Sequence, residues 1–206
     1  MDKQRLVKTA QALVAEKKGI LAADESGGTI KRRFDSINVE STEDSRRNYR
    51  EMLFRTAGVA DFVSGVILFD ETIRQDGADG TPLVKVLLDR GIIPGIKVDK
   101  GTVPLPSAPD ELVTEGLDGL RDRLKEYAEL GAGFTKWRAV ISISDDTPTS
   151  YRLAANAHAL ARFAALSQEA GLVPIVEPEI LRDGDHSIER CFEVTEETLR
   201  EVFNQL

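Results

Sequence analysis

The chain has 206 residues, of which 41% are hydrophobic and 30% are charged. This balance is typical of a globular protein and lies outside the compositions of disordered and collagen-like chains. Asp and Glu total 35 against 27 Lys and Arg, which gives a net charge of −8. Such a charge argues against nucleic acid as a partner, so a bound phosphate must be held by a local group of cations.

The sequence indicates neither a membrane span nor a secretory signal. The longest stretches without charged residues, such as Leu153–Ala161, are far shorter than the roughly 18 residues that a membrane helix needs. The first twenty residues carry several charges and no apolar signal region. Cys191 is the single cysteine, so no internal disulfide can form. We therefore expect a cytoplasmic protein that does not bind membranes.

Short apolar runs alternate with helical patterns along the whole chain. The predicted strands are Gly19–Ala23, Phe62–Phe69, Ile92–Val98, Phe134–Ile143 and Leu172–Leu181. The predicted helices are Met1–Lys18, Glu43–Arg55, Pro82–Arg90, Leu117–Leu130, Tyr151–Ala170 and Thr195–Leu206. Gly91, Gly131 and Gly171 stand where helices should end. The alternation predicts βα units on a parallel sheet.

No low-complexity tract or domain linker interrupts this pattern, so residues 1–206 are expected to form a single domain. The one proline-rich stretch, Gly101–Pro109, follows the third strand. It is predicted to be a folded loop beside the site rather than a hinge.

Charged residues cluster where the predicted strands end. Three pairs, each spaced two apart and so sharing a face of its strand, are Lys97 and Asp99, Lys136 and Arg138, and Glu177 and Glu179. Asp24 and Glu25 close the first strand. Structural ion pairs would explain any one pair equally well, but three pairs together favour an active site. An open, doubly wound sheet begins in the same way, yet inward-facing charges favour a (β/α)₈ barrel.

These groups suit acid/base chemistry on an anion. Three cations would hold an anionic substrate, and three carboxylates would move protons. They are Lys97, Lys136 and Arg138, and Asp24, Glu177 and Glu179, respectively. A buried lysine beside carboxylates also allows an imine with a carbonyl substrate.

Weaker signals surround this cluster. Ser26-Gly27-Gly28-Thr29 opens a helix after the first strand and would expose backbone N–H groups to a phosphate, although a simple helix-capping turn fits equally well. Four nearby arginines could support the same phosphate or lie on a solvated helix face: Arg32, Arg33, Arg46 and Arg47. His158 and His186 are isolated, so neither a zinc site nor a His-dependent nucleophile is expected.

Five segments, taken together, resemble one known family, the class I fructose-bisphosphate aldolases. They are Gly19–Ser26, Gly65–Thr72, Gly95–Gly101, Lys136–Arg138 and Val173–Leu181. The resemblance runs in order from about the first helix to the last residue. It implies an α/β fold of the (β/α)₈ TIM barrel family, usually assembled as a homotetramer. The implied activity is the cleavage of fructose 1,6-bisphosphate to dihydroxyacetone phosphate and glyceraldehyde 3-phosphate through a lysine imine. We expect neither a cofactor nor a metal ion.

The resemblance also implies catalytic roles. Asp24 is similar to the carboxylate that handles the C4 hydroxyl proton during carbon–carbon cleavage. Glu177 is similar to the acid/base that shuttles protons as the imine forms and breaks. Glu179 and Lys136 are similar to the charged partners that set the pKa values around the imine lysine.

Substrate-binding roles follow from the same resemblance. Ser26 and Arg33 are similar to contributors to one phosphate site. Lys97 and Arg138 are similar to residues near the other phosphate, and Arg46 is similar to a position sometimes assigned to substrate.

The sequence departs from the family at its nucleophile. The imine-forming lysine of the family lies on a sixth strand in a Leu-Lys-Pro-Asn stretch, which these 206 residues do not contain. We therefore expect five of eight βα units, the N-terminal part of an aldolase. Two alternatives stay open: an inactive fragment or module that binds sugar phosphates or docks onto a full-length aldolase, and an enzyme in which Lys97 or Lys136 forms the imine.

Overall fold

The computed structural model describes residues 2–206. Its strands are β1 (Gly19–Ala23), β2 (Val63–Leu68), β3 (Ile93–Lys97), β4 (Thr102–Leu105), β5 (Ala108–Thr114), β6 (Phe134–Ile141) and β7 (Val173–Ile180). Its helices are α1 (Lys3–Leu13), α2 (Gly27–Asp35), α3 (Glu43–Arg55), α4 (Val59–Phe62), α5 (Asp70–Ile73), α6 (Leu83–Leu88), α7 (Leu120–Glu129), α8 (Ser150–Glu169) and α9 (Ile188–Gln205). The five predicted strands are present as β1, β2, β3, β6 and β7.

These five strands form one parallel sheet in the order β1-β2-β3-β6-β7. The order follows the sequence without the reversal that a doubly wound sheet requires. Helices α3, α6, α7, α8 and α9 pack on one face, through core residues such as Phe54, Leu124 and Leu160. The chain is thus an α/β protein whose parallel strands curl into part of a (β/α)₈ barrel.

The concave face of the sheet is closed at the amino ends of the strands. Leu13, at the end of α1, packs there against Ile67 and Phe134 in a separate apolar cluster. The partly buried side chains around this cluster are Ile20, Ile93, Val173 and Ile175. Because this end is apolar, the charged residues of the same face are confined to the carboxyl ends of the strands.

Two glycines make room for the Phe134 ring inside the barrel. A Cβ atom on Gly95 would lie 2.2 Å from the nearest ring atom, and one on Gly65 would lie 3.0 Å from the ring and 2.6 Å from Leu13. Phe134 is fully buried, so its ring cannot move into solvent. Any larger residue at Gly95 would overpack this layer.

The proline-rich segment predicted as a loop forms the β4–β5 hairpin instead. The turn consists of Pro106 and Ser107, and Ser107 has a φ of +64°. This turn lacks the Asn-Gly or Gly pattern that marks hairpins in a sequence. Buried Glu111 anchors the hairpin by accepting hydrogen bonds from the backbone N–H (2.8 Å) and the hydroxyl (2.5 Å) of Thr149.

The predicted helix bounds differ most at α1 and α9. α1 ends at Leu13 rather than at Lys18, because the chain turns and Lys17 adopts a φ of +64°; Met1 lies outside the described residues. α9 begins at Ile188 rather than at Thr195, since the Ser187 hydroxyl accepts from the Arg190 N–H (3.2 Å). The short helices α4 and α5 were not predicted, because four residues show no period.

The helix-ending glycines are confirmed by their backbone geometry. Gly91, Gly131 and Gly171 have φ values of +70°, +102° and +79°, which favour glycine over any other residue.

Within residues 2–206, none of the helices combines the length and the apolar character needed to cross a membrane.

We expect Gly95→Ala to lower the free energy of unfolding by about 1–3 kcal/mol, because the added methyl group overlaps the Phe134 ring. Urea unfolding can be followed by the fluorescence of the single, fully buried Trp137. Gly19→Ala is the control, since a Cβ there meets no atom within 4 Å. Equal stability of the two variants would contradict the packing account.

Candidate functional site

A cavity of about 910 Å³ opens at the carboxyl ends of the parallel strands. Of the nine predicted site residues, eight line it: Asp24, Ser26, Arg33, Lys97, Lys136, Arg138, Glu177 and Glu179. The structure therefore brings together side chains from β1, α2, β3, β6 and β7, as expected where the strands of a barrel end.

Lys136 on β6 lies at the centre of the charged group. Its Nζ is 3.1 Å from Oδ2 of Asp24 and 3.3 Å from Oε2 of Glu177, and the residue is 7% exposed. Burial lowers the pKa of Lys136, but the negative charges of Asp24 and Glu177 outweigh it and leave the pKa above its ordinary value. Lys136 is therefore protonated near neutral pH, when it can donate hydrogen bonds but cannot attack a carbonyl.

Glu177 on β7 is suited to hold and release a proton. Burial raises its pKa above the ordinary value, and this effect exceeds the opposing influence of Lys136. A raised carboxyl pKa moves the proton affinity toward neutral pH, which favours a general acid/base.

Arg138 and Glu179 form a neighbouring ion pair between β6 and β7. The Arg138 Nε donates to the Glu179 carboxylate and lies 3.9 Å from Oε1 of Glu177. The hydrogen bond to Glu179 raises the pKa of Arg138. Because this pair is about two-fifths exposed, its guanidinium lies within reach of a ligand in the cavity.

Asp99 contacts both residues that were predicted near a phosphate, Lys97 at its ammonium group and Arg138 at its backbone. Its Oδ1 accepts from Lys97 Nζ and from the Gly101 N–H (3.1 Å), and its Oδ2 accepts from the Arg138 N–H (3.2 Å). The Asp99 side chain is only 3% exposed. The sequence places Asp99 on the same face as Lys97, but the contact to β6 has no signal in the sequence.

The turn after β1 faces the cavity as predicted. α2 begins at Gly27, and the hydroxyls of Ser26 and Thr29 lie 3.2 Å apart. The Ser26 side chain caps no N–H of the helix, and both Ser26 and Thr29 line the cavity. Arg33, one turn further along α2, pairs with the buried carboxylate of Glu25.

Arg46 is the predicted residue that the structure does not bring to the cavity. Its guanidinium donates to Oε1 (2.7 Å) and Oε2 (2.9 Å) of Glu71 and to the backbone oxygen of Ser41 (3.1 Å). The hydrogen bond to Glu71 raises the pKa of Arg46. Arg46 therefore fixes α3 to the segment after β2.

One buried arginine near the site was missed altogether. Arg50 on α3 is fully buried and donates from Nη2 to the backbone oxygen of Glu25 (2.7 Å). Burial lowers the pKa of Arg50 against the opposing charge of Glu25. An arginine on an amphipathic helix is expected in solvent, so no pattern in the sequence predicts its burial.

Metal binding has no visible site in the part of the chain that the structure describes. Its residues include no group of three or more His, Cys, Asp or Glu side chains placed to hold an ion.

The structure is part of an α/β barrel, and its charged side chains converge at the carboxyl ends of the strands, where TIM-barrel enzymes have their active sites. The sequence pattern of the family "Fructose-bisphosphate aldolase class-I" matches residues 5–206. The chain belongs to this family.

Individual relatives are similar in sequence to this chain over nearly its whole length. A "Probable fructose-bisphosphate aldolase class 1" of Xanthomonas campestris pv. campestris is 61% identical over 100% of this chain and 62% of its own length. "Fructose-bisphosphate aldolase 6, cytosolic" of Arabidopsis thaliana is 53% identical over 98% of this chain and 56% of its own length. The present chain thus spans about three-fifths of these relatives.

A solved structure shows the same fold. Fructose-bisphosphate aldolase from Plasmodium falciparum, in a ternary complex with TRAP and a small-molecule inhibitor, matches with a TM-score of 0.96 and 52% identity. The match covers 98% of this chain and 59% of that chain.

We expect Lys136→Met to destabilise the fold by about 3–5 kcal/mol near neutral pH, because it leaves the Asp24 and Glu177 carboxylates in the cavity without their shared cation. The loss should shrink as the pH falls, since burial raises the pKa of Glu177 and its protonation removes one of the charges that the variant leaves unpaired. Urea unfolding at several pH values measures this.

Lys85→Met is the matched control, because Lys85 pairs with Asp89 at the surface, where both side chains are more than half exposed. A Lys136→Met loss that is small at neutral pH or independent of pH would contradict the account.

Proposed function

We propose that the full-length protein containing this chain is a class I fructose-bisphosphate aldolase, which cleaves fructose 1,6-bisphosphate reversibly to dihydroxyacetone phosphate and glyceraldehyde 3-phosphate in glycolysis and gluconeogenesis. One observation carries the proposal: Lys136 lies between Asp24 and Glu177 at the barrel mouth, among cations suited to phosphate groups. Family membership supports it independently. Residues 1–206 would form one incomplete barrel domain, and the imine lysine would come from the remaining part of the barrel.

Each of the catalytic residues would have a separate role in the reaction. As the substrate C2 carbonyl forms its imine, Glu177 donates a proton to the departing hydroxyl, which leaves as water. Asp24 then takes the C4 hydroxyl proton, and C4 becomes a carbonyl as the C3–C4 bond breaks. The electron pair of that bond moves into the protonated imine. Lys136 keeps a positive charge next to Asp24 and Glu177 throughout. Glu179 is paired with Arg138, which lies beside Glu177.

Phosphate binding would use the two sides of the same cavity. Ser26 and Arg33 would contact one phosphate from the β1 side, and Lys97 and Arg138 would lie near the other from β3 and β6. Lys97 is already ion-paired with Asp99, and Arg138 with Glu179, so each cation is held ready before substrate arrives. The position of Arg46 against Glu71 gives it an indirect part at most.

An imine on Lys97 or Lys136 is disfavoured by the geometry. Both ammonium groups are ion-paired with carboxylates, and a lysine attacks a carbonyl only when it is deprotonated.

Borohydride trapping with dihydroxyacetone phosphate tests this directly in the full-length protein. We expect a single lysine adduct outside residues 1–206, located by mass mapping. An adduct on Lys97 or Lys136 would overturn the assignment. Binding without any adduct would favour the alternative, a sugar-phosphate-binding module without catalysis.

We expect Glu177→Gln to lower kcat about 10²-fold or more in a coupled triose phosphate assay, because it removes the acid/base. The control is Glu169→Gln, which loses only an exposed pair with Arg121. A Glu177→Gln enzyme as active as Glu169→Gln would refute the role of Glu177.

The location and assembly of the full-length protein are further parts of the proposal. A cytoplasmic location is supported by the relative described as cytosolic. A homotetramer is supported by the family resemblance alone, and light scattering would show a mass four times that of one chain.

A further inference from the structure

We propose that Arg50 is a positioning residue that acts as a second counterion for Glu25, so that Arg33 can leave Glu25 and bind a phosphate group. The inference rests on the proposed function in one respect only, namely that Arg33 meets a phosphate in the cavity. It concerns three residues: Glu25 after β1, Arg33 on α2 and Arg50 on α3.

Glu25 is held between two arginines of very different exposure. Its side chain is 7% exposed, while Arg33 is 59% exposed and Arg50 is completely buried. Oε1 of Glu25 pairs with Arg33. Oε2 is buried and accepts no hydrogen bond from any residue between 2 and 206, so one oxygen of this carboxylate is left for another donor.

Arg50 has unused hydrogen-bond donors beside Glu25. Its Nη2 donates to the backbone oxygen of Glu25 (2.7 Å) and lies 3.8 Å from Oε2 of Glu25. Its Nε and Nη1 are buried and meet no acceptor in the described chain. The Phe69 ring lies 5.9 Å from the guanidinium and favours the charged form. Arg50 is thus fixed, charged and incompletely paired, beside an incompletely paired carboxylate.

These facts make Arg33 the exchangeable partner. A phosphate offers a guanidinium two strong charge-assisted hydrogen bonds, and the exposed Arg33 can turn toward the cavity that it lines with Ser26 and Thr29. If Glu25 then had no other cation, a buried carboxylate would be left unpaired, which is costly. Arg50, which remains in place, removes that cost.

The alternative is that Arg50 only fixes the backbone after Asp24 through its hydrogen bond to the Glu25 oxygen. Under that alternative, the charge of Glu25 is irrelevant to the effect of replacing Arg50. Under the counterion proposal, the charge of Glu25 is the reason for the effect. The two can therefore be separated by neutralising Glu25.

The test measures inorganic phosphate binding by titration calorimetry and the KM for fructose 1,6-bisphosphate, in the full-length protein. We expect Arg50→Gln to weaken phosphate binding by about tenfold or more, corresponding to roughly 1.4 kcal/mol, and to raise KM more than it lowers kcat. Arg152→Gln is the matched control: Arg152 is also fully buried and lies 3.8 Å from Glu111, outside the cavity, and its loss should leave the phosphate affinity unchanged.

The added replacement Glu25→Gln should restore most of the phosphate affinity of Arg50→Gln, since no buried charge is then left behind. Arg50→Gln with unchanged affinity, or a double variant no better than Arg50→Gln, would overturn the proposal. If Arg50→Gln does not fold, Glu25→Gln alone decides: released Arg33 should bind phosphate at least as tightly as before, and weaker binding would overturn the proposal.

These outcomes are distinct from those that test the proposed function. A protein that binds phosphate as expected but cleaves no substrate would refute the aldolase activity alone. An active aldolase whose Arg50→Gln variant is unaffected would refute the counterion role alone.

Discussion

The structure depends on one buried cation, Lys136. β1 and β7 are the outer strands of the sheet, and Lys136 links their carboxyl ends by pairing with Asp24 and Glu177 at once. Its ammonium group lies within 3.3 Å of both carboxylates and so offsets the repulsion between their like charges. The ion pairs therefore join side chains from the two edges of the half-barrel and, in the proposed function, hold its acid/base groups together.

The sheet separates apolar and charged layers along the same concave face. Phe134 and Lys136 are two residues apart on β6 and point the same way, yet one belongs to an apolar cluster with Leu13 and the other to the charged cavity. Leu13 of helix α1 packs at the amino end, and the cavity opens at the carboxyl end. Gly65 and Gly95 are needed because the Phe134 ring occupies the space above them.

The five parallel strands and the charged pairs on them could be predicted from the sequence, because hydrophobic periodicity and residue spacing are local properties. The two-residue spacing of Lys136 and Arg138, and of Glu177 and Glu179, correctly placed each pair on one face. The hairpin from Thr102 to Thr114 could not be predicted, since its Pro-Ser turn has no recognised pattern. Arg46 and Arg50 show the limit most clearly: they are one turn apart on α3, and only tertiary packing directs one toward Glu71 and the other toward Glu25.

In the proposed function, Lys136 is a charged bridge between Asp24 and Glu177 and not a nucleophile. An NMR titration of the Lys136 side chain, labelled with ¹³C at Cε in the full-length protein, measures this most directly. We expect a pKa above that of an ordinary lysine, because Asp24 and Glu177 outweigh the effect of burial. A Lys136 that is neutral at pH 7 would contradict it.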